Sequence, residues 1–324
     1  MRKALIVGIN DYPSAPLRGA IYDASSVATV LERHGDESGT INFDVHLHTD
    51  VPTRGDLREL IQDLFSSRDE IDLFYFSGHG YVDRTGAYLV TPDARRYDAG
   101  ISADEILSLA NESASDNRII ILDCCHSGAF GTPKIMGDRA AYICEGVTIM
   151  TASRKDESAI EMNGHGVFSN LFVDALMGGA ADVNGNITPG SIYAYIDQSL
   201  GSWEQRPVFK TNISQFASLR KVVPKVSLNI LREIVTYFPV PQEDLPLDPS
   251  YEDTNYEDSP QRHYPPYALS AHVYIFKHLQ KFQSAGLVEP VDTPFMYFAA
   301  MDSKACRLTA LGHHYWRLVK EKRL

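Results

Sequence analysis

A chain of 324 residues is long for one domain and comfortable for one large domain plus one small one. Its 44% hydrophobic and 22% charged residues are ordinary for a globular protein, and a formal charge of −12 argues against non-specific binding of nucleic acid or anionic membrane. No run of about 18 apolar residues is present, so no membrane span is expected. The opening MRKALIVGIN is too short to read as a signal peptide, and four cysteines without metal or disulfide spacing suit a reducing cytoplasm.

In chain order, KALIVGI (3–9) reads as a buried strand, and DASSVATVLERHG (23–35) as a helix stopped at Gly35. FDVHLHT (43–49) is a second strand, and TRGDLRELIQDLFS (53–66) a helix capped by Thr53. DLFYFSGHG (72–80) and AYLVTPD (87–93) read as strands, with a helix from its Ser102 cap to residue 112. RIIILD (118–123) and VTIMTAS (147–153) are further strands, and residues 167–179 and 189–200 are helices. Strands alternating with helices at this spacing predict an α/β fold with a mostly parallel sheet covered on both faces. Ligands in such sheets sit beyond the carboxyl ends of the strands.

The texture changes near residue 223. A helix over 226–238 is followed by an acidic, proline-rich stretch to 262, which has the composition of a solvated spacer. Residues 268–286 read as an amphipathic helix, LVEPV and PFMYFAAM (294–301) as two strands of a hairpin, and 308–322 as a helix. The expected division is 1–222, a helix and linker over 223–262, and a small α+β domain over 263–324. The order of elements in the last part resembles a winged-helix domain.

Two strands end on reactive residues. DLFYFSGHG leaves His79 between two glycines, and IIILDCCHSG leaves Cys124, Cys125 and His126 past another strand. A right-handed crossover between neighbouring strands brings these ends to one edge of the sheet. A cysteine and a histidine there can carry out acyl transfer: the imidazole promotes thiolate formation or protonates the leaving amine. The glycines admit backbone N–H groups to a developing oxyanion, with Gly80 and Cys125 the candidate donors. Taken alone, a cysteine after an apolar strand is more often a small buried hydrophobe than a nucleophile.

FYFSGHG followed by DCCHSG resembles the caspase-like peptidases, and more specifically the metacaspases and their bacterial relatives. The interval from His79 to Cys125 is the one caspases keep. ALIVGINDY, LRGAIYDA, YLVTPDA, TASRKDESA, HGVFSNLFVDAL and DVNGNIT have counterparts in the same order along residues 1 to 215. The resemblance implies a caspase-like fold, Cys125 as nucleophile, His79 as base and Cys124 as a structural neighbour. Pleat alternation agrees, because adjacent side chains point to opposite sides.

The resemblance also implies a pocket for arginine, then lysine, lined by Asp23, Ser77 and Asp123, with Asp156 at its rim. Paired carboxylates suit the planar guanidinium fork. Metacaspases often need calcium. Here Asp93 and Asp104 fall at the matching positions, but Ala103 and Thr132 stand where acids are needed, too few oxygens for that cation. No metal or other cofactor is therefore expected. Lys134 and Arg139 are candidate self-cleavage sites. The implied partner is a protein or peptide with Arg or Lys before the cut bond, in a bacterial defence or cell-death setting. A protein partner for the C-terminal domain is expected ahead of DNA. The rival reading is a catalytically silent homologue that regulates through its winged-helix-like domain.

Overall fold

The computed structural model describes residues 1–84, 86–95, 98–124, 143–152, 161–162, 165–200, 206–214 and 216–324. They form two compact units, Met1–Val223 and Pro224–Leu324.

The first unit opens with β1 (Arg2–Gly8), α1 (Ala20–Glu32), β2 (Asp44–Thr49), α2 (Arg54–Phe65) and β3 (Ile71–Ser77). A small sheet follows from β4 (Gly80–Val82), β5 (Ala87–Arg95) and β6 (Asp98–Ser102). Next come α3 (Ala103–Glu112), β7 (Asn117–Asp123), β8 (Val147–Thr151), β9 (Glu161–Met162), β10 (His165–Gly166) and α4 (Val167–Asp174). The unit ends with β11 (Asn186–Ile187), α5 (Pro189–Ser199), β12 (Val208–Asn212) and β13 (Arg220–Lys221).

The main sheet has the order β12-β8-β7-β3-β1-β2, parallel except for β12. Its central strands carry continuous apolar runs, residues 73–76 in β3 and 119–122 in β7, because both faces are covered. Leu5, Val7, Phe74, Phe76, Ile120 and Leu122 pack on one face with Leu57 and Ile61 of α2 and Ile106 of α3. Ala4, Ile6, Leu73, Tyr75, Ile119 and Ile121 pack on the other with Val27 of α1, Phe172 of α4 and Ile192 of α5. This is the α/β sandwich expected from the sequence.

Thr53 and Ser102 cap their helices as expected, accepting from the N–H groups of Asp56 and Glu105. The stretch 72–80, read as one strand, is divided. β3 stops at Ser77, and Gly80 opens β4 in the separate antiparallel sheet. Gly78 and His79 make the corner between the two.

The second unit contains α6 (Leu228–Arg232), α7 (Ile234–Tyr237), β14 (Leu245–Pro246), α8 (Ser270–Ser284), β15 (Val288–Pro290), α9 (Met296–Met301), β16 (Ala305–Leu308) and α10 (Ala310–Lys320). The three strands pair antiparallel in the order β14-β16-β15. The segment expected as the second hairpin strand, 294–301, is instead the helix α9. Met296, Ala299, Ala300 and Met301 are buried, a helical spacing that the run of aromatics hides in the sequence. The helix expected over 226–238 is the pair α6 and α7.

The acidic stretch also differs from a solvated spacer. Asn255 is fully buried, and its side-chain amide donates to the carbonyls of Pro249, Tyr264 and Pro266 while accepting from the N–H of Tyr264. One polar side chain thus satisfies a turn that lacks aliphatic residues.

Candidate active site

The site is built where β1, β3 and β7 end together. Gly8 lies level with Ser77, and Ser77 level with Asp123. Ser77 and Asp123 continue the faces of Tyr75 and Ile121, so both turn toward α1 and α4. Gly8 lets α1 descend onto the sheet: a Cβ there would lie 2.6 Å from the Ala20 carbonyl oxygen and 2.8 Å from the Ala24 Cβ. That contact sets the first turn of α1, which carries Asp23.

Asp23, Ser77 and Asp123 are all buried, at 4%, 4% and 6% exposure. The two carboxylates meet at Gly166. Its N–H donates to Asp23 Oδ2 at 3.2 Å, and a Cβ on it would collide with Asp123 Oδ2. Ser169, on α4, donates its hydroxyl hydrogen to Asp123 and therefore accepts from the Tyr75 phenol, 2.5 Å away. Burial, then the carboxylates of Asp123 and Asp23, push the Tyr75 phenol well above its ordinary range. It stays a donor, and the relay Tyr75, Ser169, Asp123 keeps one direction.

His79 is held on the opposite side of the β3 corner. Its Nε2–H donates to the Ala15 carbonyl at 2.7 Å, which leaves Nδ1 of the neutral ring as the proton acceptor. Its backbone N–H donates to Tyr12 Oη at 3.0 Å, and that phenol donates to the Val90 carbonyl at 3.2 Å. The Tyr12 and His79 ring centroids are 4.5 Å apart. Gly78 makes room for this arrangement, since a Cβ there would lie 2.6 Å from Tyr12 Oη. The loop carrying Tyr12 and Ala15 is pinned by Asn10, whose side-chain oxygen accepts from the Ala20 N–H. Asp50 in turn accepts from the N–H groups of Asn10 and Asp11.

Gly80 lines a cleft of about 760 Å³ together with His79, Ala15, Tyr81, Tyr88 and Val90. Cys124, at the end of β7, is 2% exposed and packs into the cluster with α2 and α3. Cys125, Lys134, Arg139 and Asp156 lie outside the described residues, as does Thr132.

Of the positions considered for calcium, Asp93 has hydrogen-bond partners within the protein. Asp93 Oδ1 already accepts from Thr91 and from the Arg54 N–H, at 2.6 and 3.1 Å. The Arg54 guanidinium lies 3.2 Å from Asp98 and 3.1 Å from Glu105, and Arg58 lies 2.6 Å from Glu105. Among the described residues, no group of three or more His, Cys, Asp or Glu is arranged to hold a metal.

Sequence reading missed Tyr75, Ser169, Gly166 and Tyr12. Tyr75 had a usable signal, lying two residues before Ser77 on the same strand face. Gly166 and Ser169 had none, because the meeting of their segment with Asp23 and Asp123 is long-range.

A parallel α/β sheet with a fixed histidine and paired acids at its strand ends, where a cysteine pair follows β7, has the build of a cysteine peptidase. The family model for the caspase domain matches residues 1–221, and the chain belongs to that family. Two solved structures are similar. Protein GSU0716 from Geobacter sulfurreducens is 15% identical over 68% of this chain and 97% of its own, with a TM-score of 0.50. Caspase-1 from Spodoptera frugiperda is 12% identical over 68% of this chain and 90% of its own, with a TM-score of 0.49. At such identity the likeness is one of fold. No curated protein matches the sequence. No helix among the described residues is long and apolar enough to cross a membrane.

Proposed function

We propose that this chain is a cysteine endopeptidase of the metacaspase type, cutting polypeptides after arginine and, less well, after lysine. The observation that carries the reading is the convergence of Asp23 and Asp123, both buried, on Gly166. Two like charges brought together out of water favour a shared cation between them. A guanidinium meets both through paired, charge-assisted hydrogen bonds, and an ammonium meets them as a point charge. Ser77 supplies a hydroxyl at the same level.

Cys125 passes its thiol proton to His79 Nδ1, and the resulting thiolate attacks the carbonyl carbon of the arginine, forming an S–C bond as the carbonyl π pair moves onto oxygen. The oxyanion is received by the N–H groups of Gly80 and Cys125. The intermediate collapses with loss of the amine, which takes its proton from His79, and water then hydrolyses the acyl-enzyme with His79 as base. Asp156 contributes to the rim of the arginine pocket. Lys134 and Arg139 match the specificity and are the proposed self-cleavage sites. Turnover needs no calcium, since Arg54 already neutralises the acids near Asp93. Residues 263–324 are proposed as a winged-helix-like module that engages a protein partner, and the enzyme as a cytoplasmic component of a bacterial defence or cell-death pathway.

The test is turnover of fluorogenic peptides ending in Arg, Lys or Asp by wild type and Cys125→Ala. Arg-selective release that vanishes in the variant is expected. Asp-selective release would overturn the pocket, and release surviving in the variant would overturn the nucleophile.

A further inference from the structure

The cleft beside His79 is a second recognition surface, distinct from the arginine pocket. We infer that it receives the substrate segment on the leaving side of the cut bond and selects an aromatic or large aliphatic residue within the first two positions after the arginine. The inference rests on the peptidase reading above.

The walls of the cleft come from the small antiparallel sheet. Tyr81 and Tyr88 are cross-strand partners, so they share one face, and Val90 lies on that face two residues further along β5. The opposite face, carrying Ala87, Leu89 and Ile101, is buried in the core. A sheet with one buried face ordinarily turns polar side chains outward. Here the outward face offers two tyrosine rings 6.4 Å apart and a valine, with Tyr81 48% exposed. Ala15, Ala94 and Ala99 complete the lining with small side chains that leave space, and Asp83 and Arg95 supply its charged groups. At about 760 Å³ the cleft holds more than one side chain.

Its position decides which part of a substrate fills it. The cleft shares His79 and Gly80 with the site but contains none of Asp23, Ser77 or Asp123. Those three turn toward α1 and α4, whereas the small sheet packs over the α2 and α3 side. The arginine side chain, on the acyl side of the bond, goes to the acids. The amine that departs must lie against His79 to take its proton, so the chain beginning at that nitrogen runs into the space beyond His79. An apolar side chain there buries the exposed tyrosine faces and gains ring contacts.

Internally quenched peptides with one arginine, followed by Phe-Gly, Gly-Phe or Gly-Gly, test this. One of the phenylalanine peptides is expected to exceed the Gly-Gly peptide about tenfold in kcat/KM. Tyr81→Ala should bring that ratio close to one, and Tyr81→Phe should preserve it. In parallel, fluorescence anisotropy reads the affinity of the same labelled peptides for full-length Cys125→Ala, where no turnover is needed. A phenylalanine preference in binding that is lost in Cys125→Ala/Tyr81→Ala supports the cleft even if cleavage after arginine is not observed. Equal affinity for all three peptides, or a preference for the Gly-Gly peptide, overturns it. Equal affinity alongside normal arginine-dependent turnover would remove this inference and leave the proposed function standing.

Discussion

One hydroxyl group fixes the corner that carries His79. Tyr12 Oη accepts from the His79 N–H and donates to the Val90 carbonyl, tying the loop after β1, the corner after β3 and the strand β5 at one atom. Burial raises the Tyr12 phenol above its ordinary range, so it keeps its proton at neutral pH and serves as a donor. Removing the hydroxyl leaves an N–H and a carbonyl without that partner, at a cost of about 1–3 kcal/mol. The Nε2–H bond to Ala15 persists in such a variant, so the imidazole keeps its tautomer and loses only its placement. Tyr12→Phe is therefore expected to lower kcat for an arginine peptide by about tenfold with little change in KM, because a misplaced base affects the chemical step more than binding. Steady-state kinetics beside a thermal melt check this. A rise in KM at unchanged kcat would assign Tyr12 to substrate binding instead.

Between elements, glycines set the distances on which the site depends. Gly8→Ala places a methyl group against the Ala20 carbonyl and the Ala24 side chain, so α1 must lift from β1. Overpacking of this kind costs about 1–3 kcal/mol, and lifting α1 moves Asp23 away from Asp123. The variant should melt lower and lose discrimination of Arg over uncharged residues; unchanged discrimination in a destabilised protein would show that Asp23 does not depend on this contact. The central strands were legible in the sequence because a strand covered on both faces carries a continuous apolar run, as in residues 73–76 and 119–122. The break at Gly78 was not, since the apolar run gives no sign that β4 leaves the sheet. Nor was α9, whose Phe295, Tyr297 and Phe298 carry strand propensity while Met296, Ala299 and Ala300 set a helical burial pattern. Asp23 and Asp123 were singled out as pocket candidates through the family motif, whereas Tyr75 and Ser169, which hold Asp123, are visible only once α4 is packed on β3 and β7.

At the scale of the whole molecule, each compact unit contains an imidazole whose neutral form burial favours. His34 Nδ1 accepts from the Lys221 N–H at 3.1 Å in the first unit, and His278 Nδ1 and the Tyr237 phenol share a hydrogen bond of 2.8 Å in the second. Burial lowers both imidazoles below 6.5, with the Arg2 charge adding to the effect at His34 and Lys281 at His278. Against this, Asp36 acts on His34 and Glu233 on His278 in the opposite sense. Tyr237 is itself pushed up to about 12, chiefly by burial, so it keeps its proton and can donate it to Nδ1 of the neutral ring. Because the unfolded chain takes up protons first as pH falls, folded stability rises with pH across this range. The contribution is complete above 6.5 and is lost as pH falls from there through the lowered folded values. Calorimetry of the full chain between pH 7.5 and 5 should therefore show a progressive fall in Tm. His278→Gln, whose amide can accept from Tyr237 but does not titrate, should flatten that fall for the part of the transition belonging to the second unit. A profile of unchanged steepness in His278→Gln would mean that other groups carry the acid sensitivity of that unit.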